Sequence, residues 1–250
     1  MPIAFARQLT GPERSQRADR HLGLLLATVA GALNAGGFLA VRQYTSHVTG
    51  AVSSMADNVV LGDWALVVDA VAGVVSFLMG AMTCALLVNW ARRRQLHSEY
   101  ATALLLEAVL ILVFGLMGAQ LAHNEALFVP LTVVLLCFIM GLQNAVITKV
   151  SSAVIRTTHM TGIVTDMGIE LGKMLYPNRS ASDQPPVRAN RDRLAMLAGL
   201  LACFLGGGVA GAFGFQRLGY LSTVPLAVVL ATLALVPVLD DVRARWRPTH

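Results

Sequence analysis

Six stretches of this chain are apolar over about the 20 residues that a helix needs to cross the roughly 30 Å hydrocarbon core of a bilayer. They are Leu22–Val41, Trp64–Val88, Ala101–Ala122, Leu127–Thr148, Leu194–Phe215 and Leu218–Leu239. A small soluble core has no room for six such helices, so the chain reads as an all-α integral membrane protein. Composition agrees: of 250 residues 56% are hydrophobic and 13% charged, against about 25% charged in a soluble domain. That deficit excludes an ordinary soluble enzyme, a disordered tail and an RNA-coating protein. The net charge of +5 comes from arginines grouped between apolar runs, the pattern of cytoplasmic loops rather than of a nucleic-acid-binding face.

Two further segments, Val48–Leu61 and Met160–Leu175, are too short and too polar to span. The first contains Ser53, Ser54, Asp57 and Asn58, the second Asp166, Glu170 and Lys173. If both enter and leave on one side, nearly all of the 19 Lys and Arg residues fall on the cytoplasmic side, leaving Arg42 and Arg217 outside. If both crossed, Arg92–Arg94, Lys149 and Arg156 would change sides. The positive-inside rule selects the first arrangement. The expected architecture is six transmembrane helices plus two short re-entrant helices, with both termini cytoplasmic. Residues 1–21 form a cytoplasmic N-tail whose Arg7, Arg14, Arg17 and Arg20 precede an apolar stretch too long for a signal peptide. Residues 22–122 form a first membrane repeat and 123–239 a second. Within the second, 176–193 is a flexible cytoplasmic connector with Pro177, Pro185 and Pro186; residues 240–250 form a cytoplasmic C-tail.

The division into repeats rests on an internal echo. Gly31-Ala32-Leu33-Asn34-Ala35 returns as Gly141-Leu142-Gln143-Asn144-Ala145, and Ser46-His47-Val48-Thr49-Gly50 returns as Thr158-His159-Met160-Thr161-Gly162. Each half then runs span, polar connector, short helix, span, span. An odd number of spans per half obliges the second half to sit upside down, which is the inverted-topology repeat of many transporters and channels. The first short segment enters from outside and the second from the cytoplasm, so their tips are expected to meet near the midplane. Thr49 and Thr161 are the expected N-caps, and Gly50 and Gly162 allow close backbone approach. Two helix amino ends facing one cavity favour an anionic or strongly polar solute.

The candidate solute-binding residues follow from the cost of polarity in lipid. An ionised side chain at the bilayer centre costs roughly 2.5–3.5 kcal/mol on insertion scales, which singles out Asp57, Asp166 and Glu170. Glu170 also stands three residues before Lys173 and fits an ordinary ion pair along one helix. Asp57 has no Lys or Arg within a turn, and Asn58 occupies the repeat position of Glu170. His47 and His159 either exchange protons or brace the bend through a loop carbonyl. Asn34, Gln143 and Asn144 either line the cavity or hydrogen-bond across helices. Glu107 and Asp69 are set aside as residues near an interface.

No HxxxH or His/Cys spacing is present, so neither a metal nor another cofactor is expected. Cys84, Cys137 and Cys203 each lie in a separate apolar run and are read as small buried hydrophobes. P-loop, GxSxG, HExxH and CxxC motifs are all missing, and no catalytic residue is assigned. Gly207-x-x-x-Gly211 and the stripe Ala27, Gly31, Ala35 are close-packing faces, first within the chain and second in a homodimer. The expected partners are a small-molecule solute and the lipid bilayer, not nucleic acid.

Taken together, Gly31-x-x-Asn34-Ala35 with His47-Val48-Thr49-Gly50, and Gly141–Ala145 with Arg156-Thr157-Thr158-His159-Met160-Thr161-Gly162, resemble the YoaK family of bacterial membrane proteins, over about residues 20–240. The resemblance implies a protein of the bacterial cytoplasmic (inner) membrane that exports small metabolites. This chain departs from the family pattern in two places, with Asn34 where the family has an acid and Ala51 where it has Asn. If that acid couples transport to protons, Asp57 or the histidines must serve here. The expected function is efflux of a small polar or anionic metabolite, coupled to protons through His47, His159, Asp57 or Glu170. Its rivals are a passive channel and a non-transporting scaffold or sensor whose midplane is filled by side chains.

Overall fold

The computed structural model describes residues 16–96, 98–120, 125–151, 157–178 and 185–245. Arg7, Arg14, Arg156, residues 179–184 of the connector and residues 246–250 lie outside the described residues. Among those described, the regular elements are helices: α1 Gln16–Val41, α2 Val48–Leu61, α3 Trp64–Arg93, α4 Ala101–Gln120, α5 Glu125–Val150, α6 Met160–Leu175, α7 Arg191–Leu218 and α8 Thr223–Arg245, with a 3₁₀ turn at Gly219–Ser222. Five helical stretches are long and apolar enough to cross a membrane: Ala18–Val41, Trp64–Arg93, Ala101–Gln120, Leu127–Val150 and Arg191–Leu235. As one straight helix the last would measure roughly 67 Å, more than twice a bilayer core. The chain turns inside it instead. Gly219 takes φ +60°, and the Ser222 hydroxyl comes within 3.1 Å of where a Cβ on Gly214 would sit. The helices α2 and α6, of 14 and 16 residues, are about 21 and 24 Å long and too short to cross.

Local chemistry sets the helix ends. Asp63 and Asn190 cap α3 and α7, each side-chain oxygen accepting a backbone N–H, from Leu66 at 3.2 Å and from Arg193 at 3.0 Å. Gly62, at φ 77°, closes α2 in the left-handed conformation that glycine adopts without strain. Trp64 and Trp90 are exposed at the two ends of α3, roughly 39 Å apart along its axis, as aromatic belts at two membrane interfaces would be. The outward faces between them carry Leu86, Leu116, Leu205 and Val209, all exposed.

The helices pack in a pattern that occurs twice. α1 runs parallel to α7, with Leu24 against Gly199, Gly31 against Phe204 and Gly36 against Phe215. α3 runs parallel to α5: Ser76 Oγ donates to the Val134 carbonyl at 2.6 Å, and Gly80 meets Phe138 and Leu142. α1 and α5 are antiparallel to one another, Gln143 lying beside Leu26 and Leu136 beside Gly37. So are α4 and α8, Gly115 lying beside Thr223 and Gly118 beside Tyr220.

Glycine permits the close parallel pairs. A Cβ on Gly31 would lie 2.0 Å from the Phe204 carbonyl oxygen and one on Gly207 2.1 Å from that of Thr28. At the repeat positions, a Cβ on Gly141 would lie 2.0 Å from the Phe77 oxygen and one on Gly80 2.0 Å from that of Phe138. The small-residue stripes of α1 and α7 therefore face each other within the chain, a backbone approach typical of helices packed in lipid. Leu33, Leu136, Ile139 and Met140, all fully buried, fill the crossing of α1 and α5. These registers also sort the charges, with Arg92–Arg94, Lys149 and Arg193 at one end of the bundle and Arg42 and Arg217 at the other.

Candidate functional site

Past the end of α1 the chain reverses at Arg42, φ 57°, and Ser46 Oγ donates to Asn34 Oδ1 at 2.8 Å. Because Asn34 lies two turns before the end of α1, the connector has folded back along that helix before α2 begins. The second half repeats the device, Thr158 Oγ1 donating to Asn144 Oδ1 at 2.7 Å. Asn34 and Asn144 are therefore anchors for loop backbone, the hydrogen-bonding alternative of the two readings.

The anchored hydroxyls release the chain into helix two residues earlier than threonine caps would. The N-cap positions are His47 and His159, neither making a side-chain capping bond, whereas Thr49 and Thr161 lie inside the helices and are exposed. This corrects the expected caps. The glycines also have a different use. A Cβ on Gly50 would sit 2.4 Å from His47 Nδ1, and one on Gly162 2.2 Å from His159 Nδ1. Each imidazole lies over the glycine three residues on, so the glycine makes room for its own neighbour.

The echo extends one residue further than the sequence reading took it. Thr45 and Thr157 precede the anchored residues, and both are buried with hydroxyls that have no partner among the described residues. Thr45 opens onto a cleft beside α2 that also takes in Gln43, Tyr44, His47 and Asp69 and reaches Cys137 at its floor. The cleft itself holds about 50 Å³, and a neighbouring hollow that shares Gln43, Tyr44, His47 and Asp69, and to which Gly50 contributes, has a volume of about 280 Å³. An amide, a phenol, an imidazole, a carboxylate and an unsatisfied buried hydroxyl thus share one concave space. Asp69, set aside as interfacial, belongs to it because the folded-back connector carries His47 down to its level on α3.

The other acids do not converge there. Asp57 is on the exposed face of α2, away from the cleft, with no hydrogen bond or ion pair among the described residues. Asn58 is buried and structural. Its Nδ2 donates to the Ser54 carbonyl at 2.7 Å, and its own carbonyl accepts from Asp63 N at 3.0 Å. Asp166 and Glu170 tie α6 to the start of α7. Arg193 Nη2 donates to Asp166 Oδ2 at 2.9 Å, Lys173 Nζ to Glu170 Oε1 at 2.9 Å and Asn190 N to Glu170 Oε2 at 2.7 Å. The Lys173 ammonium, aided by the Asn190 N–H, holds the Glu170 carboxyl below the usual carboxylate range. The local ion-pair reading of Glu170 and Lys173 therefore describes the geometry.

Gln143 is fully buried, its Nε2 donating to the Leu26 carbonyl across the α1–α5 crossing at 3.4 Å. α2 packs on α3, and α6 on α7. The α1–α5 register leaves Asn34 and Asn144 roughly 10 Å apart along the bundle axis, with packed leucine, isoleucine and methionine between them. The expected meeting of the two tips is thus replaced by two separate loop ends. Among the described residues no group of three His, Cys, Asp or Glu side chains is placed to hold a metal ion.

A family model described as a protein of unknown function (DUF1275) matches residues 22–236. No curated protein and no solved structure matches the chain.

Proposed function

Because the chain belongs to the DUF1275 family, whose description names no activity, we propose from its own geometry that it is a small-solute transporter of the bacterial cytoplasmic membrane. In this reading six spans form an inverted-topology repeat in which the segments around α2 and α6 are re-entrant. The observation that carries it is the paired loop. Two connectors fold back along antiparallel, repeat-related helices, each held by an Asn to a hydroxyl and each ending in a histidine at a short helix. Irregular backbone at such depth is tolerated only where protein or a watery cavity surrounds it, and at the first loop a polar cleft does. The collection of Arg and Lys at one end of the bundle supports a cytoplasmic assignment of that end by the positive-inside rule, and the paired His-x-Thr-Gly motifs supply the YoaK-like pattern. Asn34, standing where that pattern has an acid, is an acceptor for Ser46.

The Asp69 carboxylate in the cleft disfavours an anion, so the solute is a small polar molecule that offers hydrogen-bond donors. Efflux is the direction the family resemblance implies, with His47 and Asp69 as the titratable groups that meet the solute. The packed crossing between the loops favours a gated carrier over a passive channel, and the cleft favours a carrier over a scaffold. A thermal-shift screen of the purified protein against a metabolite library, followed by flux of the stabilising solute in proteoliposomes, tests this. A hydrogen bond to a charged group is worth about 1.5–3 kcal/mol, so Asp69→Asn is expected to weaken binding about tenfold to a hundredfold. Asp57→Asn, on the outer face, should leave flux unchanged. Flux that never saturates would select the channel, and a library with no stabilising member and no flux would sink the transporter.

A further inference from the structure

Glu107 is fully buried on α4, and among the described residues neither carboxyl oxygen has a hydrogen-bond partner. It lies roughly 9 Å along the helix from the amino end, inside a stretch apolar enough to cross a membrane. Gln143 on α5, also fully buried, stands beside it. The amide nitrogen of Gln143 is turned toward the Leu26 carbonyl at 3.4 Å, and its carbonyl oxygen has no partner among the described residues. As an ionised group, Glu107 would be a buried charge with no cation beside it and only the neutral Gln143 amide within reach, an arrangement that costs several kcal/mol in an apolar interior. As the neutral acid, it carries an O–H donor, which the unpartnered oxygen of its neighbour Gln143 lacks.

The groups around it leave that role to Glu107. From α3 comes the Cys84 thiol, and from α5 Lys149, which is near Cys84 but directed to Asn89 Oδ1 at 3.4 Å. From α1 comes the Leu26 carbonyl through Gln143, and α8 presents Ala227, Leu230, Leu233 and Ala234.

We propose that Glu107 is a proton-binding site whose occupancy sets the orientation of Gln143. With the proton bound, Glu107 donates to the Gln143 oxygen and the Gln143 amide keeps its bond to α1. When the O–H bond breaks and the proton passes to water at the Lys149 end, the carboxylate accepts from Gln143 Nε2. That amide then gives up Leu26 and loosens the α1–α5 crossing. Gln143 directly precedes Asn144, the anchor of the second loop, so the change reaches the loop through one residue. Use of this proton to drive solute movement rests on the transporter reading; the site itself does not.

Infrared spectra of the purified protein in lipid, recorded in H₂O and D₂O across pH, read the site directly. The wild type is expected to show a protonated-carboxyl C=O band that shifts in D₂O and fades reversibly as pH rises. Glu107→Gln should lack the band, and Glu107→Asp should keep it at a displaced position. No such band in the wild type at any pH, or a band that persists in Glu107→Gln, overturns the proposal. If Glu107→Gln does not fold, Glu107→Asp decides, since an undisplaced band assigns the signal elsewhere. None of these readings depends on flux, so failure here and failure of the transport reading are separate results.

Discussion

The loops leading into α2 and α6 share an anchor and then diverge. Both hold an Asn oxygen to a Ser or Thr hydroxyl, both bury the preceding threonine, and both fold a histidine over a glycine. Past that point the first half stays open, with Asn58 turned back on its own helix and a polar cleft running from His47 to Asp69. The second half puts Glu170 at the position of Asn58 and ties it to Lys173 and to the backbone of Asn190. The shared residues set the path of the backbone and the divergent ones set its chemistry. One copy of the motif is left beside a polar cleft while the other latches its short helix to the next long one.

The glycine contacts test the shared part most severely. Gly31→Ala and Gly141→Ala each drive a methyl into a backbone carbonyl that would lie 2.0 Å away. Overpacking of this kind costs about 1–3 kcal/mol and sometimes more. Thermal unfolding in detergent should show the two variants destabilised alike, because each glycine faces the repeat equivalent of the other's partner. Gly206→Ala, where a Cβ would meet nothing within 4 Å, should be neutral or slightly stabilising. A large effect at Gly31 with none at Gly141 would break the equivalence of the halves.

The latch in the second half makes a pH-dependent prediction that the first half should not share. The folded-state carboxyl of Glu170 is held below its unfolded range, chiefly by Lys173. Its contribution is therefore complete above the unfolded carboxylate range and is lost as pH falls through the lower folded value. Limited proteolysis in the connector after α6 should speed up on acidification in the wild type. In Glu170→Gln it should be fast throughout, with little pH dependence in that window. A wild-type rate that does not change with acid would mean that Glu170 carries no latch, and the comparison would then rest on the cleft alone.

Much of the backbone was legible in the chain because apolar length and charge segregation are local properties. Val48–Leu61 and Met160–Leu175 form helices with the bounds the sequence predicts, since short polar stretches between long apolar ones have few other options. The site was less legible. Asp57, exceptional in sequence for lacking a nearby cation, turned out to be exposed, because charge spacing along a helix does not reveal which face the helix buries. Asp69 and Glu107 looked interfacial from their distance to helix ends, yet one lines the cleft and the other is sealed between helices. Thr49 and Thr161 failed as caps because Ser46 and Thr158 had already been captured by asparagines more than ten residues upstream, a long-range contact that no local preference encodes. The exception is Thr45 with Thr157, whose pairing was visible in the echo and needed only one more residue of alignment.

The anchors give the smallest effect and the finest test of the comparison. Asn34→Ala and Asn144→Ala each remove one accepted hydrogen bond, worth about 1 kcal/mol net when its partner can find water, and Asn144→Ala also removes the bond that Asn144 Nδ2 donates to the Met140 carbonyl at 2.8 Å. A double-mutant cycle isolates the contact: once Asn34→Ala is made, Ser46→Ala should cost nothing further, and Thr158→Ala should behave likewise after Asn144→Ala. The two coupling energies should agree if the loops are equivalent at their anchors. The total loss should still be larger for Asn144→Ala. Its neighbour Gln143 links α5 to α1, so a shifted α5 disturbs the crossing as well as the loop, whereas Leu33, the neighbour of Asn34, brings only apolar packing to the same place. Equal coupling with unequal totals would locate the asymmetry of the protein in what surrounds the anchors and leave the anchors themselves symmetric.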